Sequence, residues 1–207
     1  MIYTQPKTFS EQKIYDEVVS KSINILDNFY KKMCYDTEEL RKISYTSKRT
    51  GKNKGQYGYF VTNGSKASSL IKVIQELKIK SLCDLGAGAG ILLQTLQQFS
   101  TCEKIIGYEI EDSLITLSKK YFDGRVIKKD LLKLTKRDLI EFDALYFWEP
   151  LESPELARKF VMQLEKSCKK GQYLIYNNSG STGGILNASS KFTRLNDQYC
   201  FALYQKI

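Results

Sequence analysis

The chain contains no histidine. That absence removes the Ser-His-Asp triad, the Cys-His pair and every imidazole-ligated metal site. Any general base must be Asp, Glu, Tyr, Lys or Cys, so a reaction asking little of acid–base catalysis is favoured. Proline is scarce, at three in 207 residues. The five cysteines, Cys34, Cys83, Cys102, Cys168 and Cys200, are odd in number and form no C-x-x-C pair. That argues against a disulfide framework and against a thiolate zinc site, and no metal is expected. Cys83 reads instead as a small buried hydrophobe in a strand. No apolar run approaches the ~20 residues of a membrane span. Met1–Ser10 is polar and lacks a signal-peptide core, so a cytoplasmic protein without membrane contact is expected.

Acidic residues are missing from one long window. None occurs between Glu39 and Glu76, while Arg41, Lys42, Lys48, Arg49, Lys52, Lys54, Lys66 and Lys72 fall there. These eight charges are nearly the whole net excess of +9. One reading is a 40–75 surface for an anionic macromolecule, nucleic acid first. The other is a lysine-rich composition: lysines number 26 and arginines 6, whereas bidentate phosphate recognition favours Arg. Both stay open, as does the oligomeric state.

What is present suits one globular domain with an N-terminal extension: 42% hydrophobic and 27% charged residues. Ile14, Val18, Ile25 and Phe29, with Val19 and Leu26 beside them, recur at helical spacing in residues 1–45. They predict a helix that docks on the domain or covers its active site. Residues 44–60 hold three glycines and no apolar period, and read as a mobile basic loop. We divide the chain into an extension, 1–62, and a domain, 63–207.

Within the domain, Asn63 or Ser65 caps a helix running through Leu77. Strands then alternate with helices: Ser81–Leu85, helix Ile91–Phe99, Lys104–Ile110, helix Asp112–Phe122, Arg125–Lys129, Ala144–Trp148, helix Pro154–Cys168 and Gln172–Asn177. Near-continuous apolar strands between amphipathic helices indicate an α/β doubly wound parallel sheet. Ser179–Gly184 reads as flexible, with room for a short helix before Lys191. Lys191–Leu195 and Tyr199–Gln205 flank Asn196-Asp197-Gln198 as an antiparallel hairpin, bringing the sheet to seven strands.

The richest segment is Asp84-Leu85-Gly86-Ala87-Gly88-Ala89-Gly90. A carboxylate ends a strand, and alternating glycines lead into a helix. Glycine allows a tight turn and close approach of a ligand to the backbone. A dinucleotide fingerprint, G-x-G-x-x-G, would need its third glycine at position 91, which is Ile91. This disfavours a nicotinamide oxidoreductase. The G-x-G-x-G pattern with Asp84 ahead of it, together with the hairpin tail, resembles the class I S-adenosylmethionine-dependent methyltransferases over residues 65–207.

The resemblance implies a Rossmann-like fold, S-adenosylmethionine as cofactor and methyl transfer as activity. That transfer expels a neutral thioether and can rest on proximity and alignment. It implies that Asp84, Gly86, Ala87, Gly88 and Gly90 hold the methionine part. Glu109, with Ile110, would take the ribose hydroxyls. Asp130, with the Leu131 amide, would meet the adenine amino group. Glu109 also reads as a helix-start carboxylate, and Asp130 as a helix cap or a salt-bridge partner of Lys128 or Lys129. In the family, the segment Trp148-Glu149-Pro150-Leu151 faces the methyl group and the acceptor. Trp148 would wall the cofactor or stack an acceptor, and Glu149 would orient or deprotonate an amine. The bland alternative buries Trp148 in the core and has Glu149 cap the turn. The segment lacks the N/D-P-P-Y/F motif of base-amine enzymes. That argues against a specialised base-amine enzyme, while the basic 40–75 window motivates a macromolecular acceptor, protein lysine or RNA, without a choice between them. A small-molecule acceptor, or a non-catalytic nucleic-acid-binding module on the same fold, are the alternatives.

Overall fold

The computed structural model describes residues 62–123, 125–177, 180–195 and 200–207, with 21, 23–29 and 32 nearer the N-terminus. The basic loop 44–60 and the turn 196–198 lie outside the described residues.

Asn63 caps the first helix of the domain, α1 (Gly64–Glu76), by accepting from the Lys66 amide at 2.9 Å. It supplies an acceptor for a first-turn donor that the helix itself cannot satisfy. Then follow β1 (Ser81–Leu85), α2 (Ile91–Phe99), β2 (Lys104–Glu109), α3 (Asp112–Tyr121) and β3 (Val126–Lys128). A 3-10 turn (Leu131–Lys133) and α4 (Lys136–Leu139) precede β4 (Ala144–Phe147), α5 (Pro154–Ser167) and β5 (Tyr173–Tyr176). The chain closes with α6 (Ser181–Ala188), β6 (Phe192–Arg194) and β7 (Ala202–Lys206).

The strands form one seven-stranded sheet in the order β3-β2-β1-β4-β5-β7-β6. The β1–β5 pairings are parallel, and β7 runs antiparallel to both β5 and β6. Side chains alternate between the sheet's faces and split the core in two. Leu82, Ala144, Tyr146 and Ile175 pack under α1, α2 and α3. Cys83, Leu85, Leu145, Phe147 and Tyr176 pack against α4, α5 and α6. Burial on both faces explains why the central strands read as unbroken apolar runs.

β1 and α2 match their expected bounds, and the other strands begin or end a residue or more away from them. The 3-10 turn and α4 had no apolar period to announce them. A capping box holds α4: Asp138 accepts from the Thr135 amide at 2.7 Å. Ser181–Gly184, expected to be flexible, instead forms the first turn of α6. The described helical residues 23–29 pack on the domain. Asp27 Oδ1 accepts from the Gly64 amide at 2.8 Å, and the Phe29 and Phe99 rings meet edge-on at 5.3 Å. Leu26 is buried and Phe29 faces the domain, as expected of this helix, whereas Ile25, expected on the same face, is 58% exposed.

Candidate active site

The carboxyl ends of β1, β2, β4 and β5 lie side by side, with Asp84 opposite Gly107 and Tyr146, and Phe147 opposite Tyr176. Ligands of open α/β sheets bind at this edge. The glycine loop crosses it. Gly86, Gly88 and Gly90 have φ of 95°, 57° and 87°, the left-handed region that disfavours a Cβ. The Gly86 and Ala87 amides both donate to the Tyr108 carbonyl, at 2.9 and 3.0 Å, pinning the loop to the end of β2. A Cβ on Gly86 would stand 3.2 Å from Pro150 Cβ, so the loop touches the segment after β4. Gly107 is a requirement the motif did not single out. A Cβ there would lie 2.2 Å from Ala87 Cβ, and bare backbone at this point of β2 lets the loop settle.

Asp84, the last residue but one of β1, is 4% exposed. Among the described residues, no cation or hydrogen-bond donor pairs with its carboxyl group. Burial first, and the neighbouring Glu109 charge second, push it up to about 8. Glu109 is engaged. Its Oε2 accepts from the Gly88 amide at 2.9 Å, and its Oε1 from the Ile110 and Glu111 amides at 2.7 and 3.1 Å. It therefore ties the glycine loop to the turn that opens α3. Asp130 stands beyond β3, the strand next to β2. Its Oδ1 accepts from the Leu132 amide at 2.9 Å and its Oδ2 lies 3.6 Å from Lys133 Nζ, with buried Leu131 opening the turn between them. The ion-pair partner is Lys133 rather than Lys128, which pairs with Asp112, or Lys129, which pairs with Asp138.

Trp148 and Glu149 part to opposite sides of the sheet, as the alternation of β4 carried one step further requires. Trp148 turns toward α1, is half-buried, and carries Lys66 Nζ 3.8 Å from its ring centroid. The same Nζ donates to Asn177 Oδ1 at 3.2 Å. Glu149 turns toward α6 at 5% exposure, with φ of 35°. Its Oε1 accepts from the Thr182 hydroxyl at 2.8 Å, the Thr182 amide at 3.2 Å and the Ser181 hydroxyl at 3.3 Å. The Tyr176 hydroxyl donates to its Oε2. A Cβ on Gly180 would stand 2.6 Å from its Cδ, so only glycine leaves room for the carboxylate.

Sequence reasoning counted Lys66 only among the basic residues of the 40–75 window, and singled out neither Asn177 nor Thr182. Residues 66 and 177 are 111 positions apart, and only the strand order brings them together.

No family model and no curated protein matches the chain in sequence. Solved structures do match in three dimensions. The S-adenosylhomocysteine-bound methyltransferase PaMTH1 of Podospora anserina aligns over the full length of both chains, at 10% identity and a TM-score of 0.59. The fold is that of the class I S-adenosylmethionine-dependent methyltransferases. A candidate RNA methyltransferase from Pyrococcus horikoshii shares this methyltransferase fold over 70% of this chain and 85% of its own, at 18% identity and a TM-score of 0.53. Human N-acetylserotonin methyltransferase, crystallised with S-adenosylmethionine, matches over 69% of this chain at 14% identity and a TM-score of 0.50. This chain spans about half of that enzyme, 52%. Among the described residues, no helix is long and apolar enough to cross a membrane.

Proposed function

We propose that this protein is an S-adenosylmethionine-dependent methyltransferase. The observation that carries the reading is Asp84. A buried carboxyl group with no partner among the described residues, beside a glycine loop, suits a ligand that brings its own cation. The ammonium of a methionine moiety is such a cation, and a dinucleotide pyrophosphate is not. Glu109 would take the ribose hydroxyls, with Ile110 beside it, and Asp130 with Leu131 would border the adenine. Gly86, Ala87, Gly88 and Gly90 would give the ligand access to backbone. The bound cofactor would supply an electrophilic methyl group on a sulfonium. The chain's own contribution is to align it, and a reaction of that kind is within reach of a protein without histidine.

We assign Trp148 to the wall of the methyl-transfer side. Glu149, satisfied by four donors, supports this reading best as a positioning residue that fixes the segment after β4. The acceptor we propose is a macromolecule, RNA or protein, drawn by the acid-free 40–75 window. Transfer of a tritiated methyl group into a cell lysate tests both steps. Label that survives nuclease and disappears with protease identifies protein, and the reverse identifies RNA. Label confined to small molecules would overturn the acceptor class. Failure to bind S-adenosylhomocysteine in titration calorimetry would overturn the enzyme itself.

A further inference from the structure

Lys66 has an unusual setting for a lysine. It lies in the first turn of α1, its Nζ rests on the Trp148 ring, and its hydrogen bond goes to the amide oxygen of buried Asn177. Among the described residues, no carboxylate pairs with it. A lysine placed only to brace the fold is ordinarily matched by an acid, which also holds it protonated. Here an aromatic face and one neutral oxygen hold the nitrogen; both favour the ammonium, but less strongly than a paired carboxylate would. Partial burial lowers its pKa, and Cys200 opposes that shift. The nearest ionisable side chain of β4 is the Tyr146 phenol, which burial pushes above its ordinary range. Trp148 and Pro150 belong to one short segment, and Pro150 abuts Gly86 of the glycine loop. The amine thus lies at the carboxyl edge of β4 and β5, the edge that also carries the glycine loop.

We propose that Lys66 is itself a methyl acceptor, modified by its own chain. This rests on the methyltransferase reading above. The ammonium first gives a proton to solvent. The Nζ lone pair then bonds to the methyl carbon while the carbon–sulfur bond breaks. The bonding pair remains on sulfur, leaving neutral S-adenosylhomocysteine and a methylated lysine. The step needs no oxidant, reductant or further reactant. Methylation keeps the positive charge and removes one N–H donor, so the modified residue still stacks on Trp148.

The test uses the full chain, S-adenosylmethionine with a deuterated methyl group, and peptide mass spectrometry. The expected result is label on the peptide containing Lys66, at a fractional rate independent of protein concentration, and its loss in Lys66→Arg. A second measurement does not need turnover. If Nζ faces the sulfonium, Lys66→Met removes a like charge, so its affinity for S-adenosylmethionine rises relative to that for S-adenosylhomocysteine. Cofactor binding with no label at Lys66, with label on other lysines only, or with an unchanged affinity ratio in Lys66→Met would overturn the inference and leave the enzyme reading standing. Absence of binding of either compound to the unmodified chain would overturn both.

Discussion

The Gly88 amide donates to the Glu109 carboxylate across 2.9 Å, and this bond joins the glycine loop to the end of β2. The same carboxylate holds the Ile110 and Glu111 amides. Hydrogen bonds to a charged group contribute about 1.5–3 kcal/mol each. Glu109→Ala removes the proposed ribose contact and slackens the loop together. Titration calorimetry should show S-adenosylhomocysteine binding weakened by about 10- to 150-fold, the factor that energy corresponds to. Glu109→Gln should fall between the two, because its single acceptor oxygen cannot serve both amide sets. Unchanged affinity in Glu109→Ala would remove Glu109 from the site.

Asp84 should make ligand binding release protons. In the free protein its carboxyl group stays largely protonated until about pH 8, whereas the unfolded chain loses that proton near ~4. Within this window the folded state binds the extra proton, so the group's contribution to stability is greatest at low pH. It declines as pH rises and is gone above about pH 8. An arriving ammonium favours the ionised form and expels the proton. At pH 7 the calorimetric enthalpy of S-adenosylhomocysteine binding should therefore vary with the ionisation heat of the buffer, in the direction of proton release. Asp84→Asn should abolish that dependence and flatten the fall in urea midpoint between pH 5 and 8. A buffer-independent enthalpy in the unmodified protein would contradict the assignment.

These residues differ in how far the sequence exposed them. Asp84 and the glycines lie in seven consecutive positions, so their pattern is local and could be read directly. The edge positions of Glu109 and Asp130 were legible because Glu109 ends β2 and Asp130 follows β3 by two residues, and parallel strands deliver their ends to one edge. The strand bounds were less legible, since the last residue of a strand is set by its neighbour's pairing. Gly180 and Glu149 were harder still. Their relation depends on the start of α6 folding back onto the segment after β4, and the glycines of Ser179–Gly184 argued locally for a flexible tail. The buried Thr182 side chain and the Glu149 carboxylate override that preference, as tertiary contacts commonly override propensity. Lys66 was legible only as one basic residue among many, because nothing near position 66 hints at Trp148 or Asn177.

Gly107 makes a stringent test of loop packing. An added methyl would press on Leu93 Cδ1 at 2.9 Å and on Ala87 Cβ at 2.2 Å, and Ala87 Cβ cannot yield without moving the loop. Overpacking of this kind costs about 1–3 kcal/mol. Gly107→Ala should lower the urea midpoint accordingly and weaken S-adenosylhomocysteine binding with it. Gly171→Ala is the comparison: its φ is 82°, but a Cβ there meets nothing within 4 Å. It should cost about 1 kcal/mol from backbone conformation alone, with ligand affinity unchanged. Equal effects on binding from both variants would show that packing at Gly107 does not set the loop.

Glu149 separates positioning from proton transfer. Removing its carboxylate leaves the Thr182 amide and hydroxyl and the Tyr176 hydroxyl without their acceptor. Each stranded buried donor costs about 1–3 kcal/mol, so Glu149→Ala should lose at least about 2 kcal/mol of stability along with activity. Glu149→Gln keeps an acceptor oxygen for Thr182 and nearly the same shape. A residue that only positions the segment after β4 should survive this change with methyl transfer within about tenfold of the unmodified rate. A general base would not, since losing one costs about 10²- to 10⁴-fold. Gly180→Ala gives the complementary strain, because its methyl would push on the Glu149 carboxylate from 2.6 Å. That variant should reduce kcat while S-adenosylhomocysteine still binds, as expected when the disturbed part is the wall beside the acceptor rather than the glycine loop. A folded Glu149→Gln protein with kcat reduced a hundredfold would instead return Glu149 to the chemistry.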